Sequence, residues 1–179
     1  STVRNFAITR LERFGGKKAV RALRRALKDE NELTRVNAAR ALAVLGKKDG
    51  RDVLLEALGS DEYGPRIVSL RSTEFLKQDR VRDRIVELLK SRRESDEIDK
   101  KEKYLSVRIM EDLLRKLDSI PTEKLKPAVP VLKELLKHTR TAVSRRAARL
   151  LETMGFDPKW KYDVEQRRGW FELPEDEGE

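Results

Sequence analysis

Thr34-Arg35-Val36-Asn37-Ala38-Ala39-Arg40-Ala41-Leu42-Ala43-Val44-Leu45-Gly46 reads as one helix and its stop. Ala38, Ala41, Leu42 and Leu45 recur at the spacing of a single buried helical face, and Gly46 suits the left-handed residue that follows a helix. The pattern returns along the chain. Subtracting 31 gives Val3, Arg4, Ala7, Leu11, Phe14 and Gly15, and adding 109 gives Val143, Ala147, Leu151, Met154 and Gly155. Adding 31 gives a weaker copy, Pro65, Arg66, Ser69, Thr73 and Leu76, with Pro65 acceptable in a first turn. A further copy lies between Ser106 and Leu117, where Val107 and Arg108 fit one register and Leu114 and Leu117 the next.

A second template alternates with this one. Ala19, Ala22, Leu23, Ala26 and Leu27 form an apolar face. Its copies at +31 are Gly50, Val53, Leu54, Ala57 and Leu58, and the next are Val81, Arg84, Ile85, Leu88 and Leu89. At +109 stand Ala128, Val131, Leu132, Leu135 and Leu136. The offset of 109 is three periods of 31 plus 16 residues, and one offset serves both templates. The extra residues fall in a charged stretch at 92–103 and in a connection at 118–126 around Pro121. Nine helices in helix–turn–helix pairs are expected, stacked so that each pair covers the apolar face of the next.

A 31-residue period carrying Val-Arg-x-x-Ala-x-x-x-Leu-x-x-hydrophobic-Gly resembles the HEAT-like repeats of the phycobilisome-lyase type over roughly residues 2 to 155. The resemblance implies an all-α, right-handed α-solenoid of about four to five HEAT-like helix pairs. The expected organisation is a repeat domain at 1–155 followed by an aromatic, then acidic, capping tail at 156–179. The resemblance itself names no function, since such repeats serve scaffolds, adaptors, lyases and hydroxylases. A non-enzymatic binding or scaffold module is expected because no catalytic motif occurs, with nucleic-acid association as the alternative and a lyase-like or other enzyme acting in the concave groove as a third. Iron-dependent hydroxylases of this fold use repeated His-Glu pairs, whereas here the single His138 precedes Thr139.

Composition narrows the chemistry. The 179 residues include 41 Lys and Arg, 32 Asp and Glu, one His and no Cys, for a formal charge of +9. Without cysteine there are no disulfides, thiolate metal sites or thiol nucleophiles. No phosphate-binding glycine loop or nucleophile elbow occurs, so no cofactor, metal or catalytic residue is expected. No apolar run reaches membrane-spanning length and no signal-peptide pattern opens the chain, which points to a soluble cytoplasmic protein. Wealth in Lys, Arg and Glu with few Asn, Gln and Met is the balance seen in proteins of hot-growing organisms. The charge excess lies in residues 1–92, with 22 bases against 13 acids, while residues 93–179 hold 19 of each.

Three sets of residues stand out as candidate sites. Arg40, Arg71 and Arg149 share one register and point off the core face, with Val36, Asn37, Ile67, Arg145 and Arg146 beside them. Arginine mixed with aliphatic residues suits a protein partner. Lys17, Arg21, Arg24 and Lys28 form a stripe on one helix, with Arg25 adjacent, and this is the candidate surface for nucleic-acid backbones. Trp160, Tyr162, Trp170 and Phe171 are four of the ten aromatics and form either a cap on the last repeat or a docking motif. A different register, Arg4, Arg35 and Arg66, is expected to tie helix starts to neighbouring carboxylates or carbonyls. The chain opens inside a repeat, so Phe6 and Ile8 mark a place where self-association is expected. Asp49, Asp52, Asp79 and Asp83, near helix starts, read as caps and macrodipole partners.

Overall fold

The computed structural model describes residues 2–93, 100–163 and 168–174. Asn31 opens the helix read first: its Oδ1 accepts from the Thr34 amide at 3.0 Å, satisfying a donor that the first turn leaves free. That helix, α3, spans Glu32–Val44 and ends where Gly46 takes a φ of 70°. The Lys47 amide then reaches back to Leu42 O at 2.8 Å and the Gly46 amide to Ala43 O at 2.9 Å. These paired bonds close the last carbonyls of the helix, and the positive φ explains why glycine stands there.

The chain divides into two units, residues 1–81 and 82–179. The first contains α1 (Thr2–Phe14), α2 (Gly16–Ala26), α3, α4 (Arg51–Ala57), α5 (Tyr63–Arg71), a 3₁₀ turn at Ser72–Phe75 and the start of α6 (Gln78–Arg93). Here α3 is the hub, packing against α1, α2, α4 and α5, while α1 meets α2 and α4 meets α5. Ile8, Val20, Leu23, Ala38, Ala41 and Leu42 make one buried cluster between the first three helices. Close approach fixes Gly50: a Cβ there would lie 2.8 Å from Ala39 Cβ and 2.9 Å from its Cα.

The second unit holds the rest of α6, α7 (Lys100–Leu117), two short 3₁₀ turns, α8 (Val129–Leu135), α9 (Thr141–Thr153) and a hairpin of β1 (Lys159–Asp163) with β2 (Arg168–Glu172). Here α9 is the hub, packed against α7, α8 and β2. Val143, Ala147 and Leu151 are fully buried, as the template requires. The antiparallel register sets Trp160 opposite Phe171 and Tyr162 opposite Gly169. Phe171 also donates its amide to Leu136 O at 3.2 Å, which ties β2 to the end of α8.

The offset of 109 reappears in the coordinates. α3 and α9 are both 13 residues long and begin and end 109 residues apart. α2, α4 and α8 close at the matching template positions Ala26, Ala57 and Leu135. Nine α-helices occur among the described residues, so the chain is mostly helical, as expected. The hairpin corrects the expectation of an all-α chain. In β1 the alternation runs for only a few residues, too briefly to register as a strand among so many charges. Within the charged stretch at 92–103, Arg92 and Arg93 end α6 and Lys100 begins α7, while residues 94–99 lie outside the described residues. The connection at 118–126 contains the 3₁₀ turn Thr122–Lys124 directly after Pro121.

Candidate partner-binding surfaces

The first arginine register is structural. Arg35 Nη1 donates to Asp29 O and Glu30 O at 2.8 and 2.9 Å. One period later, Arg66 Nη1 donates to Ser60 O and Asp61 O at 2.7 and 3.3 Å, with the side chain fully buried. Each guanidinium thus closes the loop before its own helix. Arg4 takes the remaining side of the same loop, pairing with the carboxylates of Asp29 and Glu30 at 3.0 and 3.3 Å. Charge-assisted bonds of this kind hold loop carbonyls that no helix satisfies. They leave these arginines committed to the fold.

The second register divides. Arg40 is clamped by Glu12 of α1, Nη2 to Oε2 at 2.8 Å, and Asn37 donates to Asn5 at 3.2 Å. Both residues therefore join α3 to α1. Val36, expected on the surface, is fully buried, because α3 has neighbours on four of its flanks and little of it meets water. Ile67 is half-buried on α5, while Arg71 at the end of that helix is exposed with no ion pair among the described residues.

In the second unit, Arg146 is paired with Asp118 at 2.7 Å. Arg145 and Arg149, one helical turn apart on α9, are exposed and have no ion-pair partner among the described residues. They edge a cavity of about 400 Å³ together with Arg115 of α7 and Phe171 of β2. Two carboxylates, Glu111 and Glu152, also line it, so the cavity is mixed in charge with a cationic excess. Arg115 itself is held by Glu111 at 3.4 Å.

The basic stripe on α2 is exposed at Lys17, Arg21, Arg24 and Arg25, while Lys28, expected on the same helix, is exposed in the turn after it. Arg24 grips Asp49 with two bonds, Nε to Oδ1 at 2.9 Å and Nη2 to Oδ2 at 3.1 Å. That hydrogen bond holds the Asp49 carboxyl below its ordinary range and raises Arg24 in turn. Asp49 is therefore an ion-pair partner rather than a helix cap. Asp52 and Asp79 do lie in first helical turns, and Asp52 also pairs with Arg80 at 2.9 Å.

At the C-terminal end, Trp170 and Phe171 are successive residues of β2 and face opposite ways. Trp160 and Phe171 meet edge to face at 4.9 Å, and Gly169 leaves room for the indole. On the other face Lys161 pairs with Glu172 at 2.9 Å, and this bond holds the Glu172 carboxyl below its ordinary range. Of the acidic tail, residues 175–179 lie outside the described residues. At the other end, Val3, Phe6 and Phe14 of α1 are exposed, whereas Ile8 is buried in the core and withdrawn from any contact with a second chain.

No group of three or more acidic or His side chains able to hold a metal ion occurs among the described residues. Nor, within the same residues, is any helix long and apolar enough to cross a membrane. No curated protein matches the chain. Residues 1–72 match the family model described as HEAT repeats, which covers α1 to α5 and supports a HEAT-like repeat protein.

Proposed function

We propose that this chain is a non-enzymatic scaffold that binds a protein partner, and that the exposed edge of α9 is its main contact. One observation carries the reading: Arg145 and Arg149 stand exposed, without ion-pair partners among the described residues, beside a cavity that Phe171 helps to line. Arginine next to an aromatic surface is the pairing that dominates interface energetics. Arg71 is the corresponding unpaired cation of the first unit. Arg40 and Arg146 support the helices instead, through Glu12 and Asp118.

The phycobilisome-lyase type of repeat is our assignment from the Val-Arg-x-x-Ala pattern, and the arginine that closes its own loop in two successive repeats supports it. The hairpin is our candidate cap: β2 lies on α9, which would otherwise present a flank to water. Affinity capture from the native host tests the partner assignment. Wild type is expected to retain a set of proteins, with or without nuclease, that Arg145→Glu/Arg149→Glu loses. Capture that nuclease abolishes, with a steep loss of binding to mixed-sequence DNA or RNA as salt rises, would transfer the function to the basic stripe of α2.

A further inference from the structure

The stripe on α2 is one wall of a concave site. A cavity of about 660 Å³ opens between α2 and the residues that follow α3. Lys17, Arg21 and Arg24 of α2 and Lys47 beyond α3 form its rim, and Val20 and Leu45 are its apolar lining. Among the described residues no acidic side chain lines it. Lys17, Arg21 and Lys47 are exposed and have no ion pair among the described residues, whereas Arg24 is fixed against Asp49. Lys47 joined this set only through folding, because the turn at Gly46 pins its amide to Leu42 O. Val20 belongs to the core cluster and Leu45 packs against it, so the apolar part of the cavity is the outer skin of a rigid core.

We propose that this cavity is a docking site for an acidic peptide segment that carries an apolar side chain between its carboxylates. Lys17 and Arg21, with Lys47 whose charge also acts on Asp49, stand around an uncharged floor and match that chemistry in both parts. The carboxylates meet the rim, and the apolar side chain removes the exposed part of Leu45 from water. A cavity of this size takes one or two side chains, and it falls within the range of ordinary ligand sites. Nucleic acid fits less well. None of the lining residues among those described is aromatic, so bases find no stacking platform there, and a phosphate backbone alone leaves the apolar lining wet. The site shares no residue with the α9 edge, and either can fail without the other.

Fluorescence anisotropy with defined probes tests the proposal on the full chain. The first probe is a short fluorescein-labelled peptide of acidic residues around one tryptophan and one leucine. The second has both apolar residues replaced by serine, and the third and fourth are mixed-sequence DNA and RNA of equal length. The apolar peptide is expected to bind at least about tenfold tighter than its serine counterpart. Lys17→Glu/Lys47→Glu should weaken it by about tenfold or more, and Arg145→Glu/Arg149→Glu should leave it unchanged. Lys17→Ala/Lys47→Ala should weaken binding in the same direction, and unchanged circular dichroism shows that both variants fold. No binding, equal affinity for the serine peptide, tighter binding of DNA or RNA, or indifference to the lysine variants each overturns the proposal.

Discussion

α3 and α5 begin at the same point of the repeat, yet α3 runs 13 residues and α5 only 9 before a 3₁₀ turn takes over. Three substitutions in register separate them: Ala38, Ala41 and Leu42 in α3 correspond to Ser69, Ser72 and Thr73. All three hydroxyl residues are buried, and each finds a carbonyl. Ser69 donates across to Leu54 O. Ser72 donates back to Val68 O at 2.6 Å and Thr73 to Leu70 O at 2.8 Å. Hydroxyls that bond carbonyls three or four residues back compete with the helical ladder, although Thr9 in α1 and Thr153 in α9 make such bonds within helices of 13 residues. Position 77 then holds Lys, where α3 and α9 have glycines at 46 and 155. Register therefore places a helix, while its buried positions and its stop residue differ from copy to copy.

The comparison breaks most visibly in the core. Leu42→Ala and its counterpart Leu151→Ala should each cost about 2–5 kcal/mol in chemical denaturation, since both side chains are fully buried. Thr73→Ala, at the same register in the 3₁₀ turn after α5, should cost about 1–2 kcal/mol, mostly the loss of one hydrogen bond. Equal effects at the three sites would mean that α5 is packed like α3.

Glycine positions sharpen the point. Gly50→Ala combines a positive φ with a clash against the backbone of Ala39, so overpacking of about 1–3 kcal/mol adds to strain of about 1–2 kcal/mol. Gly46→Ala has open space around the new methyl and should show the strain alone, about 1–2 kcal/mol. Thermal melts of the pair test the ranking.

Arg66→Ala should cost about 1–3 kcal/mol, because Ser60 O and Asp61 O lose a buried charged donor. Arg4→Ala, at the exposed end of the same register, should be close to neutral. The smallest effect is at the Arg24–Asp49 pair. The carboxyl pKa of Asp49 is depressed in the folded state, so its stabilisation is full above the ordinary Asp range and fades as pH falls through the folded value. Asp49→Asn should therefore melt slightly below wild type at neutral pH, and the gap should close in acid.

Much of this architecture was legible before folding, because apolar spacing is a local property and the period repeats it. Leu23, Leu54, Ile85 and Leu132 share one template position and are all fully buried. The loop-closing role of Arg35 and Arg66 was legible for the same reason. Surfaces were not. Whether Val36 meets water or a neighbouring helix depends on how α3 is surrounded, and whether Arg40 is free depends on Glu12, 28 residues away. Lys47 entered the cavity beside α2 only through the turn after α3.

Site-specific photo-crosslinking tests the protein-binding edge of α9 most directly. With p-benzoylphenylalanine replacing Ala142, an exposed residue lining the cavity beside Arg145 and Arg149, irradiation in the native host should yield a discrete protein adduct. The same probe at Glu56, exposed on α4, should not give that adduct. An adduct from position 56 but none from 142, or crosslinks to nucleic acid alone, would contradict the account.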